Sequence, residues 1–85
     1  MNNIEKDTPV ECIDDQFFDE TTNPFRISEL NLPQKGLSYI VRDVTETNHG
    51  TGILLEEIKN ARYFFDDIRQ EREPVFSIRR FKKKQ

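Results

Sequence analysis

One histidine, one cysteine and three side-by-side acidic pairs are the residues of this chain whose types could do chemistry. His49 is of the type that serves as a general base at neutral pH. It lies in the polar turn sequence Asn48-His49-Gly50, and no Ser or Cys stands beside it as a nucleophile. Cys12 sits among β-prone residues in Val10-Glu-Cys-Ile13. A lone cysteine in such a setting acts as a small buried hydrophobe. A single cysteine also forms no intramolecular disulfide, and no Cys/His cluster offers a zinc site. The acidic pairs are Asp14-Asp15, Glu56-Glu57 and Asp66-Asp67. Adjacent side chains of a strand point to opposite faces, so Glu56-Glu57 makes a poor chelate. None of the pairs belongs to an Asp-x-Asp-x-Asp-Gly calcium loop. Gly50-Thr-Gly52 lacks the Lys-Ser/Thr of a phosphate loop. The chain therefore reads as non-enzymatic, with no catalytic, cofactor-binding or metal-binding residues.

Two sets of residues read instead as binding surfaces. The first is aromatic: Phe17, Phe18, Tyr63, Phe64 and Phe65, set in two long polar stretches. Loops that meet would join these rings into an apolar patch fit for a peptide or a second copy of the chain. The competing reading is that the rings only cap a thin core. The second set is cationic: Arg79, Arg80, Lys82, Lys83 and Lys84. Residues 69–85 carry seven bases against two acids, whereas residues 1–35 carry eight acids against three bases. A basic end attracts nucleic acid or an acidic surface. It can also solubilise the chain or pair with the chain's own acidic half.

The elements that must position these residues are short. With 85 residues the chain makes one domain. A chain of this size buries little more than about 60% of its unfolded surface. The apolar share of 34% is low, but its members are clustered. The N-terminus has no apolar signal-peptide core, and no apolar run approaches the roughly 20 residues that cross a bilayer. A cytoplasmic protein with no membrane contact is the expectation.

Residues 1–8 read as a flexible arm. A first strand covers Val10 to Ile13 and ends at Asp14-Asp15. Residues 16–31 read as a long loop whose Phe17, Phe18 and Phe25 fold back over an open side of the core, with one helical turn at Ser28-Glu-Leu30. Pro33-Gln-Lys-Gly36 then makes a turn. The centre is a hairpin of Gly36–Val44 and Gly52–Ile58. Val41 and Val44 are out of phase for one strand face, so either the strand is covered on both sides near its start or, the favoured reading, a bulge at Arg42-Asp43 changes the phase. Ile53 and Leu55 face inward. Residues 59–73 fit a helix, with Ala61, Phe64, Phe65 and Ile68 on one face, and fit an extended excursion equally well. Val75 to Ile78 is a strand, and Phe81 is the last core residue.

In this order, Val10-Glu-Cys-Ile-Asp14, Leu32-Pro-Gln-Lys-Gly36-Leu-Ser-Tyr39-Ile-Val41, Leu55-Glu-Glu-Ile58, Glu73-Pro74-Val-Phe76 and Arg80-Phe81 resemble a group of small SH3-like β-barrel proteins of phage and mobile-element genomes. The shared features are a strand ending in Cys-Ile-Asp, a Gly-x-x-Tyr-x-Val strand and a closing Phe-x-x-x-Arg-Phe. The resemblance spans residues 10–81 and departs at the two long loops. Members generally lack an assigned activity, so it implies a fold and no catalytic residues. The expected fold is mainly all-β: a small five-stranded, partly open SH3-like barrel with two long loops and room for one short helix in a loop. Residues 9–81 form that domain, and residues 82–85 form a basic tail. The expected role is a binding or accessory module acting through an unidentified protein partner. The alternatives are a nucleic-acid-binding module using the basic C-terminal strand and tail, and a small enzyme relying on His49 or Cys12. A homodimer through the loop aromatics is also open.

Overall fold

Tyr39 and Val41 are buried while Ser38 is exposed and Ile40 half-buried, the two-residue period of a strand with one face in the core. This strand, β2 (Ser38–Thr47), is the longest element of the computed structural model, which describes residues 4–19, 23–48, 50–66 and 68–84. Around it stand β1 (Pro9–Cys12), β3 (Gly50–Leu55), β4 (Tyr63–Phe65), β5 (Gln70–Arg72), β6 (Phe76–Ser77) and β7 (Phe81–Lys83). Single 3-10 turns cover Ile27–Glu29 and Ile78–Arg80. All pairings are antiparallel. Five strands form the main sheet in the order β6-β3-β2-β1-β7, and β4 and β5 form a separate ribbon. The protein is all-β, as expected, with seven strands among the described residues rather than five.

The main sheet curls without closing. β6 and β7 lie at its opposite edges and do not pair, yet only the turn Ile78–Arg80 separates them in sequence. Four residues of chain reach at most about 14 Å. The outer strands of a flat five-stranded sheet would lie about 19 Å apart. The short connector therefore requires a curled sheet. The concave side holds Val10, Cys12, Val41, Ile53, Leu55 and Phe81, all at 2% exposure or less. Close packing extends to the backbone: a Cβ at Gly52 would lie 2.8 Å from Val75 Cβ, so glycine makes room for the Val75 side chain over β3.

The bulge occurs at the favoured position, Arg42-Asp43. Val41 pairs with Leu55, and Asp43 pairs with Leu54, leaving Arg42 as the extra residue. The shift brings Val44 back against the core that Val41 enters. It also aims Arg42 along the end of β3. Its Nε donates to Leu55 O at 3.0 Å, and its Nη2 donates to Ile58 O at 3.1 Å and Glu73 Oε2 at 2.8 Å. Glu73 Oε2 also accepts from Asn60 N at 3.0 Å. The hydrogen bond to Glu73 raises the guanidinium pKa above its ordinary value, so Arg42 stays charged. Asn60 in turn is bound to Asn31: Asn31 N donates to Asn60 Oδ1, and Asn60 Nδ2 donates to Asn31 O.

Four expectations need correction, and one choice left open is decided. Residues 4–8 are not a loose arm: Ile4 is buried, Asp7 N donates to Val41 O, and Val41 N donates to Thr8 O. Of the two patterns that residues 59–73 fit, the chain takes the extended one, as β4 and β5. Strand spacing puts Tyr63 and Phe65 together against Phe25, and Arg69 takes a left-handed φ of 53° in the turn. The strand expected over Val75–Ile78 is only Phe76–Ser77, because Ile78 begins the 3-10 turn. Lys82 and Lys83 belong to β7 and pair with Glu11 and Val10, so the basic segment begins inside the sheet and not beyond it. The helical turn expected at Ser28-Glu-Leu30 lies one residue earlier, at Ile27–Glu29.

Arg42→Met keeps the aliphatic stem and removes every hydrogen bond of the guanidinium. It leaves Glu73 and two carbonyls half-buried without their donor, and should destabilise the fold by about 2–3 kcal/mol. Urea unfolding measures this. A loss below about 0.5 kcal/mol, the usual range of a surface substitution, would show that the network carries no weight.

Candidate aromatic groove

Two short polar turns fold the segment after β1 back onto the sheet. At its start, Asp14 Oδ1 accepts from Gln16 N at 2.9 Å, and Asp15 Oδ2 accepts from Lys35 N at 3.1 Å. Farther on, Asp19 Oδ1 accepts from Ile27 N at 2.6 Å, and Glu29 Oε1 accepts from Arg26 N at 2.7 Å. These bonds fix where the aromatic rings fall. Phe17 meets Phe76 edge-on with centroids 6.0 Å apart. The Arg80 guanidinium lies over the Phe17 ring at 4.2 Å, and its Nη1 is 3.2 Å from Asp14 Oδ1. Phe25 packs on Tyr63 at 5.4 Å and on Phe65 at 6.1 Å. Arg72 covers the Phe65 ring at 5.1 Å.

Between these clusters lies an open groove of about 210 Å³. Phe17, Phe18, Phe25, Ile27, Leu30 and Leu32 line it from the loop, with Asn23. Pro74, Val75, Phe76, Ser77 and Arg80 line it from the β6 edge. Among the described residues, Arg80 is the only charged one of the lining. Phe18 is 71% exposed.

The five aromatics read from the sequence therefore divide. Phe17 and Phe18 line the groove. Tyr63 and Phe65 are half-buried beneath Phe25 and do not line it. Phe64 is 51% exposed, since its neighbours in β4 take the opposite face. The two loops do meet, but through Phe25, which the sequence reading left out of the set. The spacing Phe25-x-Ile27-x-x-Leu30-x-Leu32 in an otherwise polar segment was the available signal for this wall.

The five cations divide too. Arg80 is committed to Asp14 and Phe17. Lys82 Nζ is 4.0 Å from Glu11, and Lys84 Nζ donates to Ser38 Oγ at 2.6 Å. Arg79 and Lys83 are exposed.

The residues weighed for chemistry are largely structural. Cys12 is fully buried, and its thiol donates to Asp14 O at 3.5 Å. Burial, with the nearby Asp15 and Asp14 charges, pushes its pKa above the ordinary 9.0, so at neutral pH it is a thiol and not a nucleophilic thiolate. Glu57 accepts from Ile40 N at 2.9 Å. His49 and Asp67 lie outside the described residues. Among the described residues no group of three or more His, Cys, Asp and Glu side chains is placed to hold a metal ion. No helix among them is long and apolar enough to cross a membrane. Comparison with protein-family models, curated proteins and solved structures finds no match to this chain.

The buried thiol gives a pH-dependence of known sign. The unfolded thiol ionises near pH 9.0 while the folded one holds its proton to higher pH. Above pH 9 the unfolded state binds fewer protons, so this contribution to stability is intact below that pH and is lost as pH rises toward the folded pKa. Unfolding midpoints of the native chain should fall more steeply above pH 9 than those of Cys12→Ala. Parallel curves, or rapid modification of Cys12 by a thiol reagent in the absence of denaturant, would contradict its burial.

Proposed function

We propose that the chain is a non-enzymatic binding module that takes an apolar side chain of a partner protein into the groove between Phe17–Leu32 and β6. The observation that carries this reading is the exposure of Phe18 at the rim of a groove already walled by apolar side chains. Leaving a phenylalanine in water instead of burying it forgoes about 1.5–3 kcal/mol, which a partner covering it would recover. The groove's size favours a side chain over a free small molecule. At about 210 Å³ it falls below the roughly 300–1,000 Å³ of drug-sized ligand sites. The buried, protonated Cys12 supports a binding role over thiol chemistry.

Selection of a random peptide library on the native chain tests this. Enriched peptides should share an apolar anchor residue, and should bind Phe18→Ser about ten-fold or more weakly, a loss of about 1.4 kcal/mol. Phe18 is outside the core, so the variant should keep its unfolding midpoint. Failure to enrich any sequence, or equal binding to Phe18→Ser, would overturn the proposal.

A further inference from the structure

The two outer strands of the main sheet are protected in different ways. β6 is only two residues long, follows Pro74, and is packed against by Phe17. Short length, a neighbouring proline and a covering loop all blunt an edge. β7 pairs with β1 on one side, and no strand among the described residues pairs with its other side. An unpaired strand side offers N–H and C=O groups to any other chain. Lys82, Lys83 and Lys84 are all exposed there. Alternation puts Lys82 and Lys84 on one face of the strand and Lys83 on the other.

We propose that these lysines are an edge guard that keeps two copies of this chain from joining their main sheets through β7. Antiparallel pairing of two β7 strands centred on Lys83 would set Lys83 opposite Lys83 and Lys82 opposite Lys84. Like charges directly opposite one another are destabilising, and they would stand so on both faces of the joined sheet. The inner counter-charge does not remove the guard. Glu11 is on β1 and 4.0 Å from Lys82 Nζ, and Lys84 binds the neutral hydroxyl of Ser38.

The proposal separates cleanly from a general solubilising role. The chain has a net charge of −3. Removing lysines makes it more negative, and a net charge farther from zero ordinarily opposes association. An edge guard demands the reverse. The test compares Lys82→Thr/Lys83→Thr/Lys84→Thr with Lys6→Thr/Lys35→Thr/Lys59→Thr, which removes three exposed loop lysines and gives the same net charge. Threonine suits a strand, so the first variant should retain the fold. Sedimentation velocity over a concentration series should find the native chain and the loop variant monomeric, and the β7 variant as dimers and larger species. Hydrogen exchange should find the Lys83 amide, which faces the free edge, newly protected in the associated form. If the triple variant loses stability, Lys83→Thr alone is read by the same two measurements. A β7 variant that stays monomeric, equal association of both variants, or a native chain already paired through β7 would overturn the proposal.

Discussion

The guanidinium of Arg42 is the interaction on which the rest of the structure depends. It binds the last carbonyl of β3, the carbonyl of Ile58 and the carboxylate of Glu73. Glu73 binds Asn60, and Asn60 binds Asn31. One cation thus gathers β2, the exit of β3, the segment after β5 and the far end of the loop that carries Phe25. A chain this short has few apolar residues with which to fix its long connections. Its core is one thin cluster inside the curled sheet. The polar network supplies the missing constraint. Its two charges remain 24% and 13% exposed, so neither bears the desolvation penalty of a deeply buried ion pair.

The network's position explains the groove. By fixing Asn31 and Asn60 against each other it holds the loop wall beside the β4–β5 ribbon. The connector from β6 to β7 sets the opposite wall, because Arg80 in that turn lies over Phe17. Phe17 therefore serves two purposes: it covers the core residue Phe76 and it forms one side of the groove. Stability and the proposed binding surface share Phe17, whereas Phe18 lines the groove outside the core and is left exposed.

What was legible in the sequence follows from how local each feature is. The bulge could be read because Val41 and Val44 fall on opposite faces of a regular strand, and a thin core favours one covered face over two. Cys12, Ile53, Leu55 and Phe81 could be read as core from alternation alone. Ile4 could not, because a single apolar residue in a polar segment has no period. The 59–73 connection satisfied both a helical and an extended pattern, and the choice was made by Phe25, a distant residue that accepts Tyr63 and Phe65 from one strand face. Lys82 to Lys84 looked like a tail because their strand partner, β1, lies at the other end of the chain. The groove was half legible: Phe17 and Phe18 were found, but the wall of Phe25, Ile27, Leu30 and Leu32 was hidden by the polar residues between them.

The most direct measurement of this account is ring-to-ring nuclear Overhauser contact in solution, in the native chain and in Arg42→Met at a temperature where both are folded. The native chain should show Phe25 against Tyr63 and Phe17 against Phe76. In Arg42→Met the β2–β3 amide contacts should persist while the Phe25–Tyr63 contact weakens or disappears, because its loop has lost the anchor that runs through Glu73, Asn60 and Asn31. A Phe25–Tyr63 contact of undiminished strength in the variant would contradict the claim that Arg42 holds the groove together.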